Sequence, residues 1–167
     1  MIDEHSLHFI TYGLYIISAK NKEGKINAML ANTMFQVTAE PARLAVVINK
    51  KSLTHDYVKE TKMFAAMPLV QDVKMPFIGI FGFRTGRNFN KFEKVKYEIS
   101  ENGLPAVTEN TTAFYEADVE LEVDIDTHTM FIGRLKTARQ ICEKVCLTYD
   151  YYTNVLKGKT PEGATHK

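Results

Sequence analysis

The sequence has no tryptophan and few of the residues that build disulfide or metal frameworks. Among its 167 residues are two cysteines and five histidines. Cys142 and Cys146 are four residues apart, a spacing that is not typical of zinc or redox sites. No two histidines at metal-ligand spacing have a third ligand nearby. We therefore predict no metal site, and we expect reduced thiols in a cytoplasmic protein.

An excess of charge of one sign and a long apolar run are also missing. Lysine and arginine number 21 against 20 aspartates and glutamates, so nothing directs the chain to nucleic acid or to an anionic membrane. The apolar stretches are far shorter than a membrane span, and the N-terminus, MIDEH, is acidic, unlike a signal peptide. The length fits one domain with a full core. We assign it to residues 1–156, followed by a polar tail, 157–167, that is expected to be frayed or a linker.

The alternation of apolar and charged residues predicts strands. Residues 116–125, EADVELEVDI, alternate strictly, which predicts a strand with one buried and one wet face. After the turn DTHT, residues 130–138 alternate again, with Arg134 and Lys136 placed to face the acids of the first strand. Further strands are predicted at 8–19, 24–31, 42–49 and 62–69, and short helices at 54–60, 77–85 and 147–156. Many strands with few helices favour a closed or sandwiched antiparallel sheet.

The stretch VVINKKSLTH, residues 46–55, ends a predicted strand in cations and hydroxyl groups. Ser52 or Thr54 could cap a following helix, whose N-terminus favours anions. Lys50, Lys51 and His55 would add donors suited to a phosphate monoester. Taken alone, this stretch is explained better by a capped helix with two solvated lysines than by a phosphate site.

Two further stretches could contact a ligand. FGFRTGR, residues 81–87, places Arg84 and Arg87 among glycines that let backbone approach an anion, although a solvent-facing loop also fits. In NAMLANTMFQVTAEP, residues 27–41, Asn32 and Thr33 interrupt an apolar run, either to cap a turn or to hydrogen-bond a heterocycle.

Taken in order, five stretches resemble the flavin reductase-like family of FMN-binding split barrels. They are TYGLYIIS, NAMLANTMFQVTAEPARLAVVINKKSLTH, FGFRTGRNFNKF, THTMFIG and LTYDYYTNVLKGKTP, and the resemblance covers about Phe9 to Pro161. It implies a mainly β fold with short helices, a six-stranded antiparallel Greek-key split β-barrel. It also implies a homodimer with FMN near the subunit interface.

The resemblance further implies the residues of the site. The implied FMN-binding residues are Ala31, Asn32, Thr33, Met34, Asn49, Lys50, Lys51, Ser52, Thr54, His55, Phe83, Arg84, Thr85, Gly86 and Lys91. His128 matches the histidine that the family places beside the nicotinamide, and it is the implied catalytic residue. The family's Gly-Asp before that histidine is Asp126-Thr127 here, a departure that concerns the nicotinamide more than FMN.

The function that the resemblance implies is an NAD(P)H-dependent flavin reductase. Hydride would pass from NADH or NADPH to flavin, and electrons would leave to free flavin or to a redox protein. One alternative is an FMN electron-transfer protein without nicotinamide activity. Its partner would be a rubredoxin-like protein, since KGKTPEGATH resembles a segment that joins this domain to a rubredoxin. A second alternative is a non-enzymatic ligand-binding barrel.

Overall fold

A computed structural model describes residues 1–161 and 163–165. Its strands are β1 (Tyr15–Lys20), β2 (Ile26–Ala31), β3 (Met34–Ala39), β4 (Ala42–Asn49), β5 (Met63–Pro68), β6 (Tyr97–Ile99), β7 (Pro105–Val107), β8 (Ala113–Ile125) and β9 (His128–Gln140). Its α-helices are α1 (Leu53–Thr61), α2 (Met75–Gly82) and α3 (Tyr149–Asn154), and short 3-10 helices cover Glu4–Phe9 and Lys91–Lys94.

Seven strands form one antiparallel sheet in the order β2-β1-β5-β8-β9-β4-β3, and β6 pairs with β7 alone. The two edge strands, β2 and β3, are separated in sequence only by Asn32 and Thr33. The edges therefore meet at one end, so the sheet curls into a split barrel. The expected mainly β antiparallel split barrel is confirmed, but the expected count of six strands is one too low for this sheet.

The barrel is filled by apolar side chains from alternate positions of its strands. Ile17, Ile48, Phe64 and Phe131 are fully buried there. Each such side chain stabilises the fold by about 2 kcal/mol through removal of its surface from water. A second cluster lies outside the barrel, where α2 and α3 cover β1 and β5. The two clusters hold rigid the walls between which the site described below is formed.

The β8–β9 hairpin is longer than predicted and has the expected ion pairs. Asp126 and Thr127 form its turn, in which Asp126 has φ +45°. Arg134 pairs with Glu120 at 2.6 Å and Lys136 with Asp118 at 3.5 Å. The predicted buried face is only half right, because the apolar residues beyond residue 119 are exposed.

The other predictions differ mainly at element ends. The helices predicted at 54–60, 77–85 and 147–156 are α1, α2 and the shorter α3. The strand predicted at 8–19 is wrong in its first half, because His8 and Phe9 end a 3-10 helix and β1 begins only at Tyr15. Glu162, His166 and Lys167 of the predicted tail lie outside the described residues. The remainder of the tail folds back on α3, where the Tyr152 hydroxyl donates to Lys159 O at 2.7 Å.

Candidate functional site

A cavity of about 1000 Å³ lies between β2, β4, the start of α1, the loop after α2, the β8–β9 turn and the tail. Twelve residues implied by the resemblance line it: Ala31, Asn32, Asn49, Lys50, Lys51, Ser52, Phe83, Arg84, Thr85, Gly86, Lys91 and His128. A cavity of this size is large enough for a cofactor-sized small molecule. Four other implied residues, Thr33, Met34, Thr54 and His55, do not line it.

The start of α1 forms one end of the cavity. The Ser52 hydroxyl accepts from Thr54 N at 3.2 Å and caps the helix, as predicted. Asn49 Oδ1 accepts from Lys51 N at 2.9 Å, which turns the chain from β4 into the helix. Lys50 pairs with Asp124 at 2.7 Å and holds the pKa of that carboxyl below its usual value. The helix N-terminus, Ser52 and Lys51 therefore provide an anion-binding end.

Thr54 and His55 support the wall from behind. The buried Thr54 hydroxyl accepts from Asn27 Nδ2 at 2.9 Å, and Asn27 lines the cavity. His55 Nε2 lies 2.8 Å from Thr129 Oγ1, and its ring packs 5.4 Å from the Phe131 ring. Burial lowers the pKa of His55, so this imidazole is neutral near pH 7.

Asn32 lines the cavity and has a buried side-chain nitrogen without a partner among the described residues. Its side chain is only 6% exposed, and its Oδ1 accepts from the Thr33 hydroxyl at 3.2 Å. Within the described residues, Asn32 Nδ2 is buried without a hydrogen-bond partner. A buried amide N–H without an acceptor is costly, so this donor fits a ligand oxygen or nitrogen. Met34 lies instead along a second cavity of about 490 Å³, beside Tyr15 and Tyr115.

The loop after α2 and Lys91 form a cationic wall. A Cβ on Gly86 would lie 2.0 Å from Asn27 Oδ1, so only glycine lets the loop approach β2 this closely. Lys91 is 3% exposed, and its Nζ donates to Ala28 O at 2.7 Å and to Phe81 O at 3.2 Å. Burial lowers the pKa of Lys91 to about 8. In the part of the chain that the structure describes, this ammonium has no carboxylate partner, which suits an anionic ligand.

The hairpin turn and the tail form the remaining side. His128 Nδ1 lies 2.8 Å from Thr127 Oγ1, and His128 Nε2 lies 3.1 Å from Gly163 O. A carbonyl oxygen only accepts, so Nε2 carries a proton and points it at the tail. Asn49 Nδ2 donates to the same Gly163 oxygen at 3.0 Å.

Sequence reasoning missed other lining residues, which include Asn27, Met29, Leu30, Val47, Phe81, Tyr149, Tyr152, Pro161, Gly163, Ala164 and Thr165. Asn27 had a signal, since it is a polar residue within an apolar strand. Most of the others carry apolar side chains and look like ordinary core residues. No helix among the described residues has the length and apolar character needed to cross a membrane.

Comparison with known proteins identifies the family of the chain. A family model described as a flavin reductase like domain matches residues 7–153. The chain is 42% identical over 163 residues to the high molecular weight rubredoxin of Moorella thermoacetica, covering 98% of this chain and 71% of that protein. It is 40% identical over 164 residues to the ferric-chelate reductase (NAD(P)H) of Archaeoglobus fulgidus, covering 98% of this chain and 96% of that protein.

A solved structure supports the fold. The NADH:FAD oxidoreductase of Streptomyces globisporus C-1027 superposes with a TM-score of 0.78 at 16% identity, covering 89% of this chain and 90% of that chain. The architecture is therefore that of a flavin reductase split barrel. This chain belongs to the flavin reductase-like family, and the predicted enzyme class, an NAD(P)H-dependent flavin oxidoreductase, agrees with the names of these relatives.

Proposed function

We propose that the chain binds FMN in the 1000 Å³ cavity and reduces it with NADH or NADPH, for delivery of electrons to free flavin or to a redox protein. When bound, FMN supplies the hydride acceptor and the one-electron donor, so the protein needs no nucleophile of its own. The observation that carries the proposal is that the buried Asn32 Nδ2, on a residue of the cavity wall, has no hydrogen-bond partner among the residues that the structure describes. A polar heterocycle bound in the cavity would supply the hydrogen-bond acceptor that this nitrogen lacks.

The remaining donors fit the other parts of FMN. The capped start of α1 would receive the phosphate, with Lys51 and Ser52 as side-chain donors. Apolar side chains such as Met29 and Val47 would pack on the ring. Lys91 would place a buried positive charge beside the bound anion. His128, with a proton on Nε2, would orient the nicotinamide by donating to it.

The test of FMN binding uses Asn32→Ala, with the exposed loop variant Asn88→Ala as a control. We expect the FMN dissociation constant of Asn32→Ala to rise by about fivefold to a hundredfold, because a buried hydrogen bond is lost. Fluorescence titration of FMN measures the change. If both variants bind FMN as tightly as the parent protein, Asn32 does not contact FMN and the proposal loses its main support.

A second candidate function is electron transfer without nicotinamide activity. It is favoured by the similarity to a protein named high molecular weight rubredoxin. The tail that follows α3 also runs along the edge of the cavity. A separate rubredoxin-like acceptor would then take electrons from the bound flavin. Failure of the reduced protein to reduce any small iron–sulfur protein from the same cell would exclude this partner.

We also infer a homodimer from an exposed apolar face of the sheet. Phe35, Ala45, Ile132 and Leu121 form one row across β3, β4, β9 and β8 by their pairing register. Phe35 is 50% exposed and Leu121 is 60% exposed. Ala45 is fully buried and Ile132 is half-buried, so the exposed apolar side chains lie at the two ends of the row. Exposed apolar side chains on one sheet face are typical of a subunit interface. Val47 lies two residues after Ala45, so the partner subunit would cover the sheet beside the cavity.

A further inference from the structure

The C-terminal tail is held against the cavity by specific contacts. Gly158 N donates to Tyr152 O at 2.9 Å, and the Tyr152 hydroxyl donates to Lys159 O at 2.7 Å. The hydroxyl groups of Tyr149 and Thr160 are also hydrogen-bonded. The contacts turn the chain back from α3, so that Pro161 and Gly163–Thr165 line the cavity. A segment that the sequence predicts to be frayed therefore forms one wall of the site.

The tail occupies a pair of donors that a ligand could use. Asn49 and His128 are direct partners in the β4–β9 pairing, so their side chains lie next to each other. Asn49 Nδ2 and His128 Nε2 both donate to the single oxygen of Gly163, at 3.0 Å and 3.1 Å. Two donors that converge on one carbonyl oxygen also match the carboxamide oxygen of a nicotinamide ring.

We propose that the tail competes with the nicotinamide nucleotide for Asn49 and His128. The Gly163 carbonyl holds the donor pair, and the nucleotide binds with its carboxamide there only when the tail moves away. The docked tail thus lowers nucleotide affinity, because only the fraction of molecules with the tail displaced can bind the nucleotide. This inference rests on the proposed function, because it concerns the nicotinamide side of that site.

Gly163 offers a selective way to weaken the tail. It has φ +90°, and an added Cβ would lie 2.9 Å from Asn49 Nδ2. Gly163→Ala therefore combines backbone strain with a clash, both confined to the docked tail. Gly24 is a matched control, because its φ is +82° and an added Cβ would have nothing within 4 Å. Gly24→Ala introduces the same kind of strain in a remote turn.

The first experiment titrates NAD⁺ and NADP⁺ into the full-length, FMN-loaded protein by calorimetry. We expect Gly163→Ala to lower the nucleotide dissociation constant by about threefold to tenfold, the value of one net hydrogen bond. Gly24→Ala is expected to match the parent, and each variant is titrated at an FMN concentration that saturates it. Equal or weaker nucleotide binding by Gly163→Ala would overturn the competition.

The second experiment measures the tail itself. Trypsin cleaves after Lys159, which is exposed but followed by the docked segment. Saturating NADP⁺ is expected to increase the cleavage rate in the parent protein and to change it little in Gly163→Ala. An unchanged or lower rate in the parent would mean that the tail stays in place or closes over the nucleotide, which overturns the inference. If no form binds nucleotide, the proposed reductase function fails, and the inference fails with it.

Discussion

At the residue scale, the main evidence for a ligand comes from single polar side chains in an apolar wall. Asn32 and Lys91 are both almost fully buried. In residues 1–161 and 163–165, Asn32 Nδ2 has no partner and the Lys91 ammonium has backbone carbonyls but no carboxylate. Neither arrangement favours folding, since a buried donor or cation is costly without a good acceptor. Residues that weaken the fold in this way are typical of binding sites.

The anion-binding end of the cavity gives a prediction for two neighbouring residues. Changing Lys51 and Ser52 together to Ala is expected to weaken FMN binding by roughly tenfold to a thousandfold, from the loss of one or two charge-assisted hydrogen bonds. Changing the exposed Lys22 and Ser6 to Ala is a matched control. Titration of FMN measures both. Unchanged affinity of the first variant, with an intact fold by circular dichroism, would show that the phosphate lies elsewhere.

His55 gives a pH dependence of stability. Burial lowers its pKa below the usual value, so the unfolded chain binds a proton in a range where the folded chain does not. The free energy of unfolding must then fall as the pH decreases below about 6.5. His55→Gln is expected to flatten this slope between pH 7.5 and pH 5.5 in urea titrations, as judged against the exposed His5→Gln. A parent protein that gains stability on acidification relative to His55→Gln would contradict the assignment.

At the scale of elements, local alternation was enough to predict the β8–β9 hairpin, including its ion pairs. The strand β3 was not predicted, although residues 35–39 alternate between apolar and polar side chains. The run is short, and its stability comes from pairing with β4. The contacts of the described part of the tail were not predicted, for a related reason. Its composition is that of a loop, and its order depends on tyrosines of α3 that hydrogen-bond to it.

The exposed face of β8 allows a test of the inferred homodimer by a single charged substitution. Leu121→Lys is expected to convert a dimer into a monomer, because an ammonium would be buried at the interface. Val145→Lys is the control, since Val145 is 67% exposed and belongs to a loop outside the strands β3, β4, β8 and β9. Sedimentation equilibrium should give twice 19.0 kDa for the parent and the control and 19.0 kDa for Leu121→Lys. A monomeric parent protein would disprove the inferred homodimer.

At the scale of the whole molecule, the cavity joins segments that are far apart in sequence. Sequence spacing alone does not show that residues 31–32, 49–52, 83–91 and 128 are neighbours in the structure. Only the resemblance predicted that they share a site. The resemblance was less informative about side-chain direction. Thr54 and His55 follow Ser52 on α1, and the helical turn points them into the protein interior rather than into the cavity.

The central claim is that one cavity holds FMN and admits a nicotinamide nucleotide. The most direct measurement is an anaerobic visible spectrum of the FMN-reconstituted protein before and after addition of NADH and then NADPH. We expect a protein-bound flavin spectrum that bleaches rapidly with at least one of the two nucleotides. A bound flavin that bleaches only with a chemical reductant would contradict the reductase and favour the electron carrier. A protein that retains no flavin would contradict the account as a whole.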